Sequence, residues 1–235
     1  MAKTQFPGFS KHFFKFINDL KKNNNREWYH ENKDRYKHDV VIPMCAFIKA
    51  MGPRLEAICE DFVADSRPHG GSMFRIYRDT RFAKDKTPYK EHIACHFRHS
   101  AGKDAHAPGF YLHIESNKIM FGGGVWCPPN PILHKIRTRI IEKPDDWKKV
   151  IRNKSFNKRF GAINGEQLKR PPRGFDKEHP HMDDLRRKSF FVIQTVKKTT
   201  AMDSKFINEV ERAFKSASPM MEFITRALEL PYDQP

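Results

Sequence analysis

The sequence predicts an α+β fold in which an antiparallel sheet of about five strands packs against N-terminal and C-terminal helices. Two observations predict this class. Apolar residues recur at helical spacing near both ends of the 235-residue chain, and they alternate with a period of two in its middle. We expect one domain, with a helical layer over 1–66, a strand meander over 67–128, and helices with one late strand over 129–235.

Three helices are predicted in the N-terminal segment. Residues 10–22 carry apolar side chains at intervals of three and four, and Ser10 is a suitable N-cap for this helix. Asn24, with a glutamate three residues later, resembles the capping box that begins a second helix. Pro43 is suited to the first turn of a third helix, which we expect over 43–63.

The middle of the chain is predicted to form the sheet, because apolar and polar residues alternate there. We expect strands over 73–79, 91–98, 109–115 and 119–121. Each strand has one apolar face, so we expect one face of the sheet to be buried. The glycines that follow, Gly122, Gly123 and Gly124, are expected to break the last of these strands.

The C-terminal segment returns to helical spacing. The expected elements are helices over 130–142 and from 144, a loop over 161–182, a strand over 189–196, and helices over about 203–217 and 219–229. Ser218 and Pro219 are expected to separate the last two helices, as the N-cap and first residue of the second one.

The charge of the chain is strongly positive and unevenly distributed. Lysine and arginine number 44 against 28 aspartate and glutamate residues, which gives a net charge of +16. Most of the excess lies in 67–103 and 135–175. Such a field attracts anions, so the expected partner is an anionic small molecule or a nucleic acid. The alternative is a solvated basic surface that keeps the protein in solution.

Other features of the sequence indicate a soluble cytoplasmic protein. No apolar run approaches the roughly 18 residues of a transmembrane helix, so no membrane partner is predicted. The four cysteines form no CxxC pair and are interpreted as free thiols. Nothing in the sequence indicates a protein partner or identifies a cofactor.

Two segments carry the candidate anion-binding residues. Residues 75–90 are dense in arginine and lysine, which bind phosphate and carboxylate groups. A proline-stiffened loop over 169–180 is suited to closing over an anion and equally to lying exposed. The candidates are Arg75, Arg78, Arg81, Lys84, Lys86, Lys90, Lys169, Arg170 and Arg173. The alternative for 75–90 is that its cations pair with carboxylates of the N-terminal helices.

Asp79, His113 and Glu115 are the candidates for proton transfer. His113 and Glu115 share the polar face of one predicted strand, and His92 and His96 share a face of another. A polar cluster across the two strands and a solvated sheet face both fit this pattern. No metal site is predicted, because His92 and His96 on a strand lie about 13 Å apart.

Five motifs give the chain a resemblance to a known family. They read FxxFxxDLKxNNNREW over 13–28, RxYRDxRFxxDKxPYK over 75–90, GGGxWxPP over 122–129, LKRxPRGF with a later HP over 168–180, and LRxKSF over 185–190. In this order they resemble the family of the domain of unknown function 2461. The resemblance implies a single cytoplasmic domain and implies no reaction. It draws attention to Arg75, Arg78, Asp79, Arg81, Phe82, Asp85, Lys86, Tyr89 and Lys90.

Three hypotheses for the function follow. In the first, the cations of 75–90 converge in a concave pocket closed by the 169–180 loop, and the protein handles an anion, with or without catalysis. In the second, it binds nucleic acid through phosphate contacts and base stacking. The stacking residues are then Phe74, Tyr77, Phe82 and Tyr89. In the third, it is a non-catalytic interaction protein with a satisfied ion-pair network over 75–90 and no deep pocket.

Overall fold

Four strands form one antiparallel sheet in chain order in a computed structural model that describes residues 6–101 and 107–235. The strands are β1 (Ile93–Arg98), β2 (Gly109–Ile114), β3 (Lys118–Val125) and β4 (Phe190–Lys197). Helices stand at both ends of the chain, so the predicted α+β class is confirmed. Within the described ranges the sheet has four strands, where about five were expected.

The N-terminal segment is helical, as predicted. Its elements are α1 (Lys11–Lys22), α2 (Arg26–Glu31), α3 (Lys33–Arg35), a π-helical turn (Tyr36–Val41) and α4 (Ile42–Glu56). Ser10 caps α1 as predicted, because its hydroxyl accepts a 3.2 Å hydrogen bond from the Phe13 amide. The predicted cap at Asn24 is wrong, because Asn25 caps α2 through a 2.9 Å bond from the Trp28 amide. The third helix is shorter than predicted and ends one turn after an internal proline, which interrupts its hydrogen bonds.

Asn24 instead joins the helical layer to the segment that approaches β1. Its side-chain amide donates a 3.0 Å hydrogen bond to the Tyr89 carbonyl. Its side-chain carbonyl accepts a 3.1 Å bond from the Tyr89 amide. This asparagine side chain therefore pairs with the backbone of residue 89 in the way that a neighbouring strand does.

The prediction of a regular strand over 73–79 is wrong. This segment runs antiparallel to 88–96, but in the described part of the chain it forms isolated pairings rather than a ladder. The pairings are Met73 with Cys95 and Tyr77 with Tyr89. Pro88 has no N–H to donate, so the pairing at Tyr77 does not extend into a regular strand.

The prediction that the glycines break β3 is also wrong, because the strand continues through them to Val125. A side chain at Gly122 would collide with the Val192 carbonyl of β4, and a side chain at Gly124 would collide with the Phe190 carbonyl. Gly124 also has a φ of +141°, which residues with side chains rarely adopt. The glycines therefore permit the close approach of β4 to β3.

The C-terminal segment contains the remaining helices. They are α5 (Asn130–Glu142), α6 (Pro144–Ile151), α7 (Lys154–Phe160), α8 (Met182–Leu185), α9 (Lys198–Ala201) and α10 (Phe206–Ala227). The predicted break at Ser218 is wrong, because α10 is continuous through Pro219. Its apolar residues are buried on both sides of the proline, and this burial outweighs the roughly 3 kcal/mol that an internal proline costs. None of the described helices has the length and hydrophobicity needed to cross a membrane.

One face of the sheet packs against α10 and forms the core. The rings of Phe110 and Phe214 stack there with centroids 4.6 Å apart. A side chain at Gly123 would meet the Met221 sulfur, so the helix lies close to β3. Because side chains alternate along a strand, Tyr111 and the other residues of the second set are turned away from α10.

Both edges of the sheet are covered by irregular chain. Residues 72–74 lie along β1, and Asn164 lies along β4. The backbone hydrogen bonds run from the Phe74 amide to the Ala94 carbonyl and from the His96 amide to the Ser72 carbonyl, both at 2.9 Å, and from the Asn164 amide to the Phe191 carbonyl at 2.7 Å. The Asn164 side chain also accepts a 3.1 Å bond from the Ile193 amide.

Candidate functional site

The sheet face that is turned away from α10 lines a cavity of about 600 Å³. The register of β2 and β3 sets the order of the residues across it. The pairs are His113 with Met120, Tyr111 with Gly122, and Gly109 with Gly124. The first and last pairs are four residue steps apart along β2, so the cavity face extends about 13 Å along the strands. Phe74, Lys90, His92, His96, Trp126, Phe191 and Ile193 are among its other lining residues.

Part of the cavity floor carries no side chains. Gly109, Gly122 and Gly124 lie together on the open face, and we call them the glycine floor. The His96 ring lies against Gly109, where a side chain would collide with its Nε2 atom. The close approach of β4 requires the other two glycines. Their peptide backbone therefore lines a hollow of the cavity that the His96 ring and the β4 backbone border.

Aromatic side chains surround this hollow. The Phe74 ring is almost parallel to the His96 ring, at a 6.2 Å centroid distance and an angle of 9°. Phe191 comes from β4, which pairs it with Gly124. Trp126 follows β3 and lines the cavity while 70% of its surface is exposed, so it lies at the mouth.

A hydrogen-bonded chain joins the side chains of Tyr111 and His113, which lie in β2, to that of Glu115, which follows the strand. The Tyr111 hydroxyl lies 3.0 Å from His113 Nδ1, and His113 Nε2 lies 3.0 Å from Glu115 Oε1. A carboxylate only accepts hydrogen bonds, so Nε2 of neutral His113 carries the proton and donates it. Nδ1 then accepts the hydrogen bond of the Tyr111 hydroxyl. This arrangement aligns a phenol, an imidazole and a carboxylate for proton transfer.

Burial shifts the pKa values of Tyr111, His113 and His92 in the directions that keep these three side chains neutral. It raises the pKa of Tyr111 to about 12. It lowers the pKa of His113, and the Glu115 carboxylate opposes that change. Burial, with His113 as the next cause, lowers the pKa of His92 to about 4. Near pH 7 the imidazoles are therefore neutral and able to accept a proton.

Lys90 supplies a cation to the cavity. Its ammonium group lies 5.4 Å from the centroid of the Phe74 ring and donates a 2.9 Å hydrogen bond to the Arg75 carbonyl. An ammonium group has three N–H donors, so two remain for a ligand or water. Burial, and then the charge of Arg75, lowers the pKa of Lys90.

Among the residues that the structure describes, Lys90 is the one of the nine candidate cations that lines this cavity. Arg78 binds the Asp85 carboxylate and the Thr87 hydroxyl. Arg81 binds Asp79 at 2.6 Å. The partners of these two arginines thus come from their own segment, whereas the alternative expectation drew partners from the helical layer.

The other candidate cations lie in different surroundings. The Lys86 ammonium group donates a 2.9 Å bond to the Thr80 carbonyl. Lys84 is exposed, as are Lys169, Arg170 and Arg173. The loop that carries the last three is anchored to α5, where the Phe175 ring meets the His134 ring edge-on at 5.5 Å. Anion binding by these residues stays a prediction.

The three candidates for proton transfer fall into two groups. His113 and Glu115 belong to the hydrogen-bonded chain at the cavity. Asp79 lies outside the set of cavity-lining residues, and its hydrogen bonds from Arg81 hold its pKa at about 2. An aspartate that is so firmly ionised is a poor proton donor at neutral pH.

The described residues contain no group of three or more histidine, cysteine, aspartate or glutamate side chains arranged to bind a metal. His92 lies just before β1 and His96 within it, so the strand that separates the two rings is present as predicted. The His92 ring is stacked on His113 instead, which leaves the two rings facing each other rather than converging on an ion.

Sequence reasoning identified some residues of the cavity and missed others. Alternation along β2 placed His113 and Glu115 on one face, and the same pattern includes Tyr111, which was not a candidate. Trp126 and Gly109 were also missed. The GGGxWxPP motif carried a signal for Trp126, because it joins that residue to the glycine floor. No local signal marks Gly109, whose place depends on strand pairing.

One protein-family model matches residues 12–223, which is nearly the whole chain. Its description is "Conserved hypothetical protein (DUF2461)". No curated protein matches the chain significantly.

Proposed function

We propose, for a chain that belongs to the DUF2461 family of conserved hypothetical proteins as its motifs predicted, that the cavity binds a small organic anion and transfers a proton to or from it. The observation that carries this proposal is the Tyr111–His113–Glu115 chain at the wall of a cavity that Lys90 also lines. This function makes the protein an enzyme for an anionic substrate.

The direction of the hydrogen bonds defines a proton path. The Tyr111 oxygen accepts a proton from the ligand while its own proton moves to His113 Nδ1. The resulting imidazolium ion is stabilised by Glu115 through the Nε2–H bond, and the ligand keeps the negative charge. The reverse steps return the proton. Because His113 is neutral before the transfer, it has the free lone pair that this path requires.

Lys90 supports the anionic part of the proposal. Its two remaining N–H donors are suited to binding a carboxylate or phosphate group of the ligand. Partial burial strengthens such charge-assisted hydrogen bonds. A developing negative charge near the phenol is also stabilised by an ammonium group whose position is already fixed by the Arg75 carbonyl.

Binding tests the anionic part. Titration calorimetry with benzoate and benzamide compares two ligands of equal shape that differ in charge. We expect benzoate to bind more tightly, and Lys90→Met to weaken its binding about tenfold, because a charge-assisted hydrogen bond contributes about 1.5 kcal/mol. Lys84→Met is the matched control, since Lys84 is exposed and lies outside the cavity. Equal weakening by both variants would contradict the proposal.

Hydrogen–deuterium exchange tests the proton transfer without knowledge of the full reaction. A panel of small carboxylic acids with acidic C–H bonds is incubated in D₂O, and loss of the C–H signal is followed by NMR. We expect the protein to catalyse exchange on a member of the panel, and His113→Asn and Tyr111→Phe to abolish it. Asp79→Asn should retain the exchange, because Asp79 lies outside the cavity lining. Loss in Asp79→Asn with retention in Tyr111→Phe would overturn the proton path.

A second candidate function, nucleic-acid binding, is supported by Phe82. Its side chain is 95% exposed, and the Arg81 guanidinium lies 6.0 Å from its ring. An exposed aromatic ring among cations is suited to stacking on a base beside a phosphate. Anisotropy of a labelled oligonucleotide at about 50 and 200 mM salt tests this function. It requires steep salt dependence and weaker binding by Phe82→Ala, with unchanged binding by Val63→Ala, another exposed apolar residue.

A non-catalytic interaction protein is the least favoured of the three hypotheses. The ion pairs of Arg78 and Arg81 agree with its expectation for 75–90, but the cavity does not. A cytoplasmic location stays a prediction, and the four free cysteines support it. Fractionation of cells that express the tagged chain tests this location.

A further inference from the structure

We propose that the ligand of the cavity has a planar apolar body, the size of a fused bicyclic ring, that lies on the glycine floor, with one anionic group at the opposite end beside Lys90. This inference rests on the proposed function, from which it takes the anionic group. It adds the class of substrate, a flat conjugated carboxylate or phosphate rather than a flexible or puckered one.

The His96 ring lies against Gly109, where burial lowers its pKa to about 4 and keeps it neutral, and the other polar groups of the cavity are concentrated at one end. His113 and Lys90 lie there, and Lys90 is close enough to contribute to the lowered pKa of His92. The strand register places the glycine floor toward the other end, with Gly122 about 7 Å and Gly109 and Gly124 about 13 Å from the level of His113. Trp126 and Phe191 bound that end. The cavity therefore fits a ligand whose charge and apolar body are at opposite ends.

The shape of the apolar end selects a flat group. The floor is peptide backbone at Gly122 and Gly124, and the flat His96 ring lies against it at Gly109. Phe74 and Phe191 present further flat surfaces, and aromatic groups prefer offset-stacked and edge-on contacts with one another. A planar ring contacts all these surfaces at once, whereas a puckered ring of the same carbon number contacts few of them.

The size of the cavity and the exposure of Trp126 agree with a body larger than one ring. A volume of about 600 Å³ lies within the range of cavities that hold drug-sized ligands. Trp126 is 70% exposed, although tryptophan is usually well covered in folded proteins. A ligand body on the glycine floor would cover the Trp126 ring.

Three probes with the same carbon skeleton test the inference: 2-naphthoate, its saturated analogue decahydro-2-naphthoate, and the neutral 2-naphthamide. Affinities are measured by titration calorimetry on the full chain. The indole N–H signal of Trp126, assigned with Trp126→Phe, reports the location of binding by NMR. We expect 2-naphthoate to bind at least about tenfold more tightly than its saturated analogue and to shift the Trp126 signal.

A matched pair of variants tests the floor without altering the glycines, whose replacement would disturb β4. Ile193 lines the cavity opposite Gly122, and Thr195 lies two residues further along the same face of β4, outside the lining. We expect Ile193→Phe to weaken 2-naphthoate binding at least about tenfold and Thr195→Phe to leave it unchanged. Circular dichroism confirms that both variants fold.

The outcomes separate this inference from the proposed function. If the saturated acid binds as tightly as 2-naphthoate and both require Lys90, the anion site stands and the planar ligand is wrong. If 2-naphthamide binds as tightly as 2-naphthoate, the planar body stands and the proposed anion is wrong. Absence of 2-naphthoate binding, an unmoved Trp126 signal, or equal effects of Ile193→Phe and Thr195→Phe would each overturn the inference.

Discussion

The imidazole rings of His92 and His113 are stacked, with centroids 4.2 Å apart and planes inclined by 25°. His92 lies just before β1 and His113 lies in β2, and the pairing of Ala94 with His113 places His92 diagonally across from it. A proton on one ring opposes a proton on the other, which is one reason why the pKa of His92 is lowered. The stacked pair therefore links the protonation of the cavity to the stability of the sheet.

Stability should fall as the pH decreases from about 6.5 to about 4. The ordinary pKa of a histidine is 6.5, and burial lowers that of His92 to about 4 in the folded protein. Between these values the unfolded chain binds more protons, so the free energy of unfolding decreases as the pH falls. His92→Phe keeps a ring for stacking but removes the titration, and should lose less stability over this range in urea unfolding. Equal losses in variant and wild type would exclude this role of His92.

The pKa of His113 should respond in opposite directions to two neighbouring charges. Glu115 opposes the downward shift caused by burial, and Lys118 adds to it. Glu115→Gln should therefore lower the pKa of His113 further, and Lys118→Met should raise it. NMR titration of the His113 ring measures both changes. A shift of the same sign in both variants would contradict the hydrogen-bonded chain.

Replacement of Gly124 by alanine should destabilise the protein by more than about 3 kcal/mol, because backbone strain and a collision with β4 add together. Its φ is +141°, and a side chain would meet the Phe190 carbonyl. Gly174→Ala is the control, because Gly174 also has a positive φ but open space around it. Strain alone should cost that variant about 1–2 kcal/mol. Urea unfolding distinguishes the two, and similar costs would show that the approach of β4 is not limiting.

Asn24→Ala should destabilise the protein by about 1–3 kcal/mol, because it leaves the Tyr89 amide and carbonyl without their partner. The segment over 75–90 should also be cleaved sooner by a protease, since Asn24 fastens it to the helical layer. Asn25→Ala removes a helix cap and should cost about 1 kcal/mol. If Asn25→Ala accelerated cleavage at 75–90 as much, the fastening role of Asn24 would be wrong.

The periodicity of apolar residues predicted the helical and sheet layers and the buried face of β2, because the period of each strand or helix can be read from its own residues. It placed His113 and Glu115 on one side of a strand, and these two residues are central to the candidate site. It did not predict the cavity, because the glycine floor arises where three strands meet and its glycines resemble a strand end in the sequence. The helix break predicted at Pro219 was wrong for a related reason. Burial of α10 against the sheet outweighs the cost of the internal proline, and the local sequence does not reveal that burial.

The cations of 75–90 show a second limit of reading along the chain. Their density predicted a convergent anion site, yet Arg78 and Arg81 bind aspartates only two to seven residues away in their own segment. Charge counting gives the field around a segment but not the direction of each side chain. Lys90 reaches the cavity because Tyr89 is fastened beside it, a contact between residues 65 apart in the sequence.

The bonds along the outer strands have a consequence for how this protein meets copies of itself. An edge strand with free amides and carbonyls is a template on which another chain can add a strand. Here residues 72–74 occupy part of that template on β1, and Asn164 occupies part of it on β4 with both its backbone and its side chain. Sheet-to-sheet association would first have to break these bonds, so the cavity face can stay open to small molecules while strand-mediated aggregation is opposed.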